Sequence, residues 1–391
     1  MFENQNHQIV IIIVTLVLTV SGCDQGRSLR SQNLPANCPN AELPCIDDPS
    51  NCCPVICQEF YHLGGPDNTI CLPDTSSHAF TWEVSLPLDG VANDAEFMEN
   101  NEIWIVGEFS QSGTTFNWLR LSENNLELDN IIIYGDEALN PPLKAIHTIS
   151  SNQTWILGAF PHFWDGEAWL YFNLVDLGVL PGGLFGDVWA SAADDVYFVG
   201  VEGRIVRYNG TVFTRIYSDT TIPLSKVHGS NPENVWICGH TYDRFRSIIL
   251  HYDGYDLRTV YDDYDYGLFD PDSLSGLVES VFAFDQDSAM VLTSLGIYRC
   301  AGDSNGEARL SVNTANPHSG INTLEGISIH DLLYSGTDGQ TCHYNGASER
   351  VFDETLGPHT VYGCAITENE AILVGSNHEL LNRAVFIRGH R

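Results

Sequence analysis

Five aspartates fall within eleven residues of the stretch Tyr261–Gly276, YDDYDYGLFDPDSLSG: Asp262, Asp263, Asp265, Asp270 and Asp272. Clustered carboxylates suit Ca²⁺, a hard cation that gathers roughly six to eight oxygen ligands. Asp262, Asp263 and Asp265 are the candidate ligands, and Ca²⁺ is the one cofactor this chemistry implies. The spacing is not that of a helix–loop–helix calcium site. Counting from Asp262, Gly267 is well placed, but Tyr264 and Tyr266 stand where ligands are needed. A solvated acidic loop is the alternative. Shortly before it, His240–Arg246 reads HTYDRFR. The two stretches together offer His240, Tyr242, Arg244, Arg246, Tyr261, Tyr264 and Tyr266 as a binding face. Tyrosine and arginine carry much of the energy at recognition surfaces. The arginines could hold an anionic group or clamp the acidic loop itself.

Catalytic motifs are incomplete. The chain has no phosphate-binding loop and no G-x-G-x-x-G, and its one G-x-S-x-G match, Gly302-Asp303-Ser304-Asn305-Gly306, is not read as a nucleophile elbow, which needs a strand-to-helix turn that an all-β repeat does not offer. His378-Glu379-Leu380-Leu381-Asn382 opens like a zinc-protease helix but lacks the second histidine. Thr337-Asp338-Gly339-Gln340-Thr341 is similar to a sialidase Asp-box with the wrong spacing. It reads better as the loop that elsewhere runs Val201-Glu202-Gly203-Arg204.

The elements that position these residues are repeats. LFGDVWASAADDVYFVGVEGRIVRYNG (Leu184–Gly210) and LSKVHGSNPENVWICGHTYDRFRSIILHYDG (Leu224–Gly254) share one plan. An alternating strand is followed by a polar turn, a second strand ending in Gly, a third strand ending in Tyr-Asn/Asp-Gly, and a fourth strand. The Gly mark recurs at Gly107, Gly158, Gly200, Gly239, Gly336 and Gly375, with Thr293 standing in once. Four short strands at a period of roughly 40–50 residues predict a β-propeller blade. The expected fold is all-β: a seven-bladed β-propeller over residues 78–391. The last unit contains three strands, and Phe80–Leu86, FTWEVSL, is an orphan strand before the first unit. It is predicted to pair with Arg383–Gly389 and close the ring, because closure removes exposed sheet edges. Both stretches of the binding face then fall on connections at one end of one blade, where a rigid scaffold holds recognition loops.

Counting eleven residues back from each mark gives Glu96, His147, Trp189, His228, Phe282, Glu325 and Cys364 on the innermost strands. Two histidines, two glutamates and a cysteine near one axis have the chemistry of metal ligands. Packing between blades is the commoner use of such positions.

The N-terminal part reads differently. Ile9–Val20 is a short apolar run of signal-peptide type, so residues 1–22 are set aside as a targeting segment. Val20-Ser21-Gly22-Cys23 resembles a bacterial lipobox, which implies lipidation of Cys23 and anchorage to a membrane of the cell envelope. No Lys or Arg precedes the run. Residues 23–37 form a polar tether. Residues 38–72 hold Cys38, Cys45, Cys52, Cys53, Cys57 and Cys71, a density that predicts a disulfide-stapled module in an exported chain. Six cysteines allow 15 pairings, and the spacing does not choose among them. Their order resembles small cystine-knot modules. Cys238, Cys300, Cys342 and Cys364 lie within the repeats.

The chain carries 17 basic against 51 acidic residues, net −34. Lys144 and Lys226 are the only lysines. A field of that sign repels nucleic acid and anionic lipid headgroups. The repeat phrase resembles that of bacterial exported, often lipid-anchored, propeller proteins. It is strongest at Val188-Trp189, Asp195-Val196-Tyr197, Gly200, Gly203, Tyr208-Asn209-Gly210, Val235-Trp236 and Tyr252-Asp253-Gly254, and departs at Thr293. The resemblance implies fold and envelope location rather than activity. The expected function is non-catalytic binding of a protein, glycan or cation-linked ligand. The alternatives are a polysaccharide-active enzyme, which needs two carboxylates roughly 5–10 Å apart, and a structural envelope component.

Overall fold

The computed structural model describes residues 75–391 apart from 123–124, 132, 135–137, 244, 265–273, 275, 285–286, 303–307, 316–319, 353–355 and 381–382. In the preceding unit, Met1–Asp74, it describes four short strands. Glu42–Pro44 pairs with Cys52–Pro54, and Tyr61–Gly64 with Ile70–Pro73. Cys52, Cys53 and Cys71 therefore lie on strands, whereas Cys23, Cys38, Cys45 and Cys57 lie outside the described residues. The expected stapling of this module is a matter of side chains beyond that description.

The second unit, Thr75–Arg391, is a β-propeller of antiparallel sheets. Five separate sheets each have four strands in sequence order. Their innermost strands are Ala145–Ser150, Phe185–Ala192, Leu224–Asn231, Val278–Phe284 and Ile321–Ser328. A sixth sheet has seven strands, ordered His359–Ile366, Glu370–Asn377, Arg383–His390, Thr81–Phe97, Ile103–Gln111, Thr114–Ser122 and Asn125–Asp129. Its middle member accounts for the orphan strand. Trp82 lies opposite Gly389 and Val84 opposite Ile387, as the sequence predicts. The strand does not stop at Leu86. It runs on for 17 residues in all and pairs through Phe97 with Ile103–Gln111. The register with Arg383–His390 slips between Ala384 and Phe386, opposite the stretch between Leu88 and Ser85. Pro87 lies there, and a residue without an N–H is accommodated at a bulge.

Two recurring marks have direct physical causes. A Cβ on Gly239 would collide with the Pro223 carbonyl oxygen and approach Leu224 Cα to 2.8 Å. Gly107, Gly200, Gly336 and Gly375 meet the backbone of their own inner strand in the same way. Gly158 differs, since its nearest neighbour is the flexible Leu143 side chain at 3.2 Å. Gly239→Ala should therefore cost about 1–3 kcal/mol, the range for forced overpacking. Gly158→Ala should cost clearly less. Urea unfolding of both variants checks this, and equal losses would contradict it.

The Tyr-Asn/Asp-Gly phrase is a hairpin device. The Tyr252 hydroxyl donates to the Gly254 carbonyl at 2.7 Å, while Asp253 Oδ1 accepts the N–H groups of Tyr255 and Asp256. Tyr208–Gly210 and Tyr344–Gly346 repeat the pattern. Tyr252→Phe should lose about 1 kcal/mol in the same assay, the worth of one hydrogen bond. No change at all would show that the hydroxyl is equally well served by water.

The core lies between neighbouring sheets. Trp189, Tyr197 and Ile205 of one pack against Val227, Val235 and Ile248 of the next. Cys238 and Cys300 belong to one such interface, Cys342 and Cys364 to others, and all four are buried thiols. The loop Thr337–Gly339 and its counterpart Val201–Gly203 are the same short helical turn, with Asp338 and Glu202 both at φ 56°. This is the equivalence that the sequence suggests in place of an Asp-box.

Candidate functional site: the axial cavity

The loop face expected from the sequence resolves into ordinary strand ends. His240 closes one strand and Arg246 opens the next, so the connection is 241–245, with Tyr242 81% exposed at its tip. Tyr261, Asp262, Asp263 and Tyr264 do not lie in a loop, because Leu257–Tyr264 is a continuous strand. Tyr261 packs into the apolar interface containing Val281. Arg246 holds Asp262 through two bonds, Nε to Oδ1 at 2.7 Å and Nη2 to Oδ2 at 2.8 Å. This is the clamp rather than an open anion site. Successive strand residues point to opposite faces, which sets Asp262 and Asp263 apart, and the third candidate ligand, Asp265, lies outside the described residues. Arg244 and Tyr266 lie outside them as well.

The chemistry that does converge lies on the axis. A cavity of about 240 Å³ is lined by Asp94, Glu96, His147, Asp187, Trp189, Lys226, His228, Glu325 and Cys364, with Phe97, Ile366 and Thr367 at one end. The ring counted from the sequence supplies Glu96, His147, Trp189, His228, Glu325 and Cys364. Phe282 is absent from the lining; it is buried and packs beside His228 at 4.5 Å. Sequence reasoning missed Asp94, Asp187 and Lys226. They sit two residues before Glu96, Trp189 and His228, hence on the same strand face. That spacing, and the rarity of lysine, were the available signals.

Most of these polar groups stitch neighbouring inner strands. Asp94 Oδ2 accepts the Ile146 N–H at 3.1 Å, and Asp187 Oδ2 accepts the Val227 N–H at 2.9 Å. His228 Nδ1 accepts the Ala283 N–H at 2.9 Å, which leaves its proton on Nε2. The His147 Nε2–H donates to the Ala190 carbonyl at 3.1 Å.

Electrostatics follow from enclosure. Burial drives the Asp94 carboxyl up to about 7 against the pull of Lys226, and raises Asp187 and, well above the usual range, Glu325. Burial also lowers His228 to about 3, so the ring is neutral. Burial opposes charge on His147, but Glu96, with Oε1 3.6 Å from Nδ1, outweighs it and raises the ring above its ordinary value. Burial disfavours the Lys226 ammonium too, yet Asp187, at 3.8 Å, together with Asp94 and Glu325 holds it firmly charged. Lys226 is therefore no neutral-pH nucleophile. Burial pushes the Cys364 thiol up, so it is no ready thiolate either. Among the described residues no three His, Cys, Asp or Glu side chains are grouped to hold a metal ion.

Recesses continue outward from the cavity. One of about 500 Å³ shares Phe97 and Thr367 with it and adds Asn369, Glu370, Arg388 and His390. A third of about 290 Å³ shares Asn369 and Arg391 and adds Ser76, Ser77 and Asp331. Met98, Asn101, Thr367 and Asn369 belong to turns that follow inner strands, the strand ends opposite the 241–245 connection. Beside the third recess, Asp331 is buried between Arg391 and His343, whose Nε2–H donates to Oδ1 at 2.7 Å. Ser76 Oγ lies 3.5 Å from that same Nε2. A catalytic triad needs acid and nucleophile on opposite ring nitrogens, so this is not one.

No family model matches the chain, and no curated protein matches it. Solved structures do. A YCF48 structure bound to D1 peptide superposes with TM-score 0.58 at 14% identity, covering 81% of this chain and 98% of that one. YCF48 from Cyanidioschyzon merolae gives 0.56 at 14%, covering 79% and 98%. A catalytically inactive virginiamycin B lyase from Staphylococcus aureus, with quinupristin, gives 0.56 at 11%, covering 79% and 99%. At these identities the likeness establishes the propeller fold.

Proposed function

We propose that this chain is a binding propeller whose recognition face is the end bearing Thr367 and Asn369, with the axial cavity as its anchor point. The observation that carries the reading is the run of adjoining recesses from the axis toward Ser76. A run of adjoining recesses suits an extended peptide, and a D1 peptide is what the YCF48 structure holds. The lyase likeness favours catalysis, but Asp94, Asp187, His147 and His228 are committed to strand stitching and Lys226 to ion pairing. Counting the seven-stranded sheet as two blades that share Thr81–Phe97 supports a total of seven. The lipobox-like Cys23, the tether and the stapled module support display at a bacterial envelope. Cys23→Ser should release the protein from membranes, and retention there would overturn the anchor.

Peptides selected by display against the full chain test the face. Asn369 is exposed, so Asn369→Trp should block them without unfolding the protein. Tyr242→Ala should leave them bound. The reverse pattern would return the binding face to the 241–245 end, and no selection at all would sink the peptide reading.

A further inference from the structure

We infer that the axial cavity takes a primary ammonium group, as on a lysine side chain or a short diamine. The inference rests on the axial anchor proposed above and names its ligand chemistry. Four carboxylates line the cavity, Asp94, Glu96, Asp187 and Glu325, and Lys226 is the one lysine or arginine among the lining residues. The carboxylates are not equally occupied. Asp94 accepts the N–H groups of Ala95 and Ile146, one on each oxygen. Asp187 is shared between the Val227 N–H and Lys226. Glu325 accepts no hydrogen bond from any described residue, although it faces the enclosed space. A partly buried carboxyl group that lines a cavity and has no protein donor on it can take one from a ligand.

The walls fit the rest of an alkylammonium ion. Trp189 presents an aromatic ring, and Phe97, Val188, Ala365 and Ile366 provide apolar surface for methylenes. A metal ion is the poorer occupant, because the acids are not grouped as three converging ligands. An ammonium needs only one carboxyl group that ionises against it and an aromatic or apolar sleeve.

Calorimetry of the full chain with 1,4-diaminobutane, butylamine, butan-1-ol and butyrate is the test. The two amines should bind, and the uncharged and anionic analogues should not. Glu325→Gln should weaken amine binding by roughly tenfold or more, as expected for loss of a charge-assisted hydrogen bond. Its melting temperature should be unchanged or higher, because it removes a poorly compensated buried acid. Should that variant fail to fold, the comparison of butylamine with butan-1-ol on the unaltered protein still decides. No amine binding, equal binding of the alcohol, or an unaltered affinity in Glu325→Gln would overturn the inference. If amines fail while displayed peptides still depend on Asn369, only the ammonium inference falls. If both fail, the recognition face falls with it.

Discussion

Lys226→Met is expected to destabilise the folded chain by about 3 kcal/mol at pH 8, and by much less at pH 5. The substitution keeps the side-chain length and removes the ammonium that faces Asp187, Asp94 and Glu325. Removing one partner of a buried charged group strands the others, at a cost of about 3–5 kcal/mol. The lower end applies because the Lys226 side chain is 21% exposed to the cavity. The pH dependence has a definite sign. Asp94 has its folded-state pKa raised from 3.8 to about 7 by burial. Between those values the folded state binds more protons than the unfolded one, so stability falls as pH rises through that window. Without Lys226 the carboxyls rise further, the fall becomes steeper, and mild acid restores most of the loss by protonating them. Urea titrations at pH 5, 6.5 and 8 measure this. A pH-independent loss would mean that Lys226 acts through packing alone.

The second large effect is expected at Arg391, just beyond the closing strand Arg383–His390. Arg391→Ala should cost about 3–5 kcal/mol at neutral pH. The Arg391 side chain is 4% exposed and lies over the Phe80 ring, with CZ 4.8 Å from its centre. It donates to Asp331, to the carbonyls of Thr367 and Glu368, and to that of Ser77. Its loss leaves Asp331 buried with His343 as its remaining charged-capable partner. Here the sign is reversed. Burial pushes Asp331 up, but the hydrogen bonds from His343 and Arg391 outweigh it and hold the group below 3.8. A depressed carboxylate contributes stability above its unfolded pKa and loses it as pH falls through the folded one. Wild type and variant should therefore converge only in strong acid, below about pH 4, whereas the Lys226 variant recovers by pH 5. Identical acid profiles for the two variants would contradict this assignment.

The fold was legible where the sequence repeats a steric or hydrogen-bonding necessity. Gly200 and Gly239 mark a backbone crossing that admits no side chain, and Tyr252-Asp253-Gly254 spells out its own turn. The orphan strand was legible because each end of the repeat array lacked what the other supplied. Strand limits were not. Acidic Tyr261–Tyr264 reads as loop by composition, yet it pairs with Arg246–Ile249, where Arg246 neutralises Asp262. The axial ring was half legible. Its Glu96 and Glu325 level follows from counting, but Lys226 gains meaning only when carboxylates from three other sheets face it. Asp331 and Arg391 stand 60 residues apart in no local pattern.

The shared strand also orders events in time. Ser85 and Phe386, hydrogen-bonded across the closing pair, are 301 residues apart. Bringing such distant segments together costs roughly 5 kcal/mol of chain entropy. During synthesis on a ribosome, Thr81–Asp89 emerges early and has no partner until Arg383–His390 has been made. For that interval it is a bare β-edge, open to pairing with a neighbouring nascent chain. The sheets in between can form as they appear, but the ring can lock only when its latest strand meets its earliest. Premature termination anywhere before Arg383 therefore yields a set of folded sheets with one sticky seam, a product for quality control rather than a smaller working propeller.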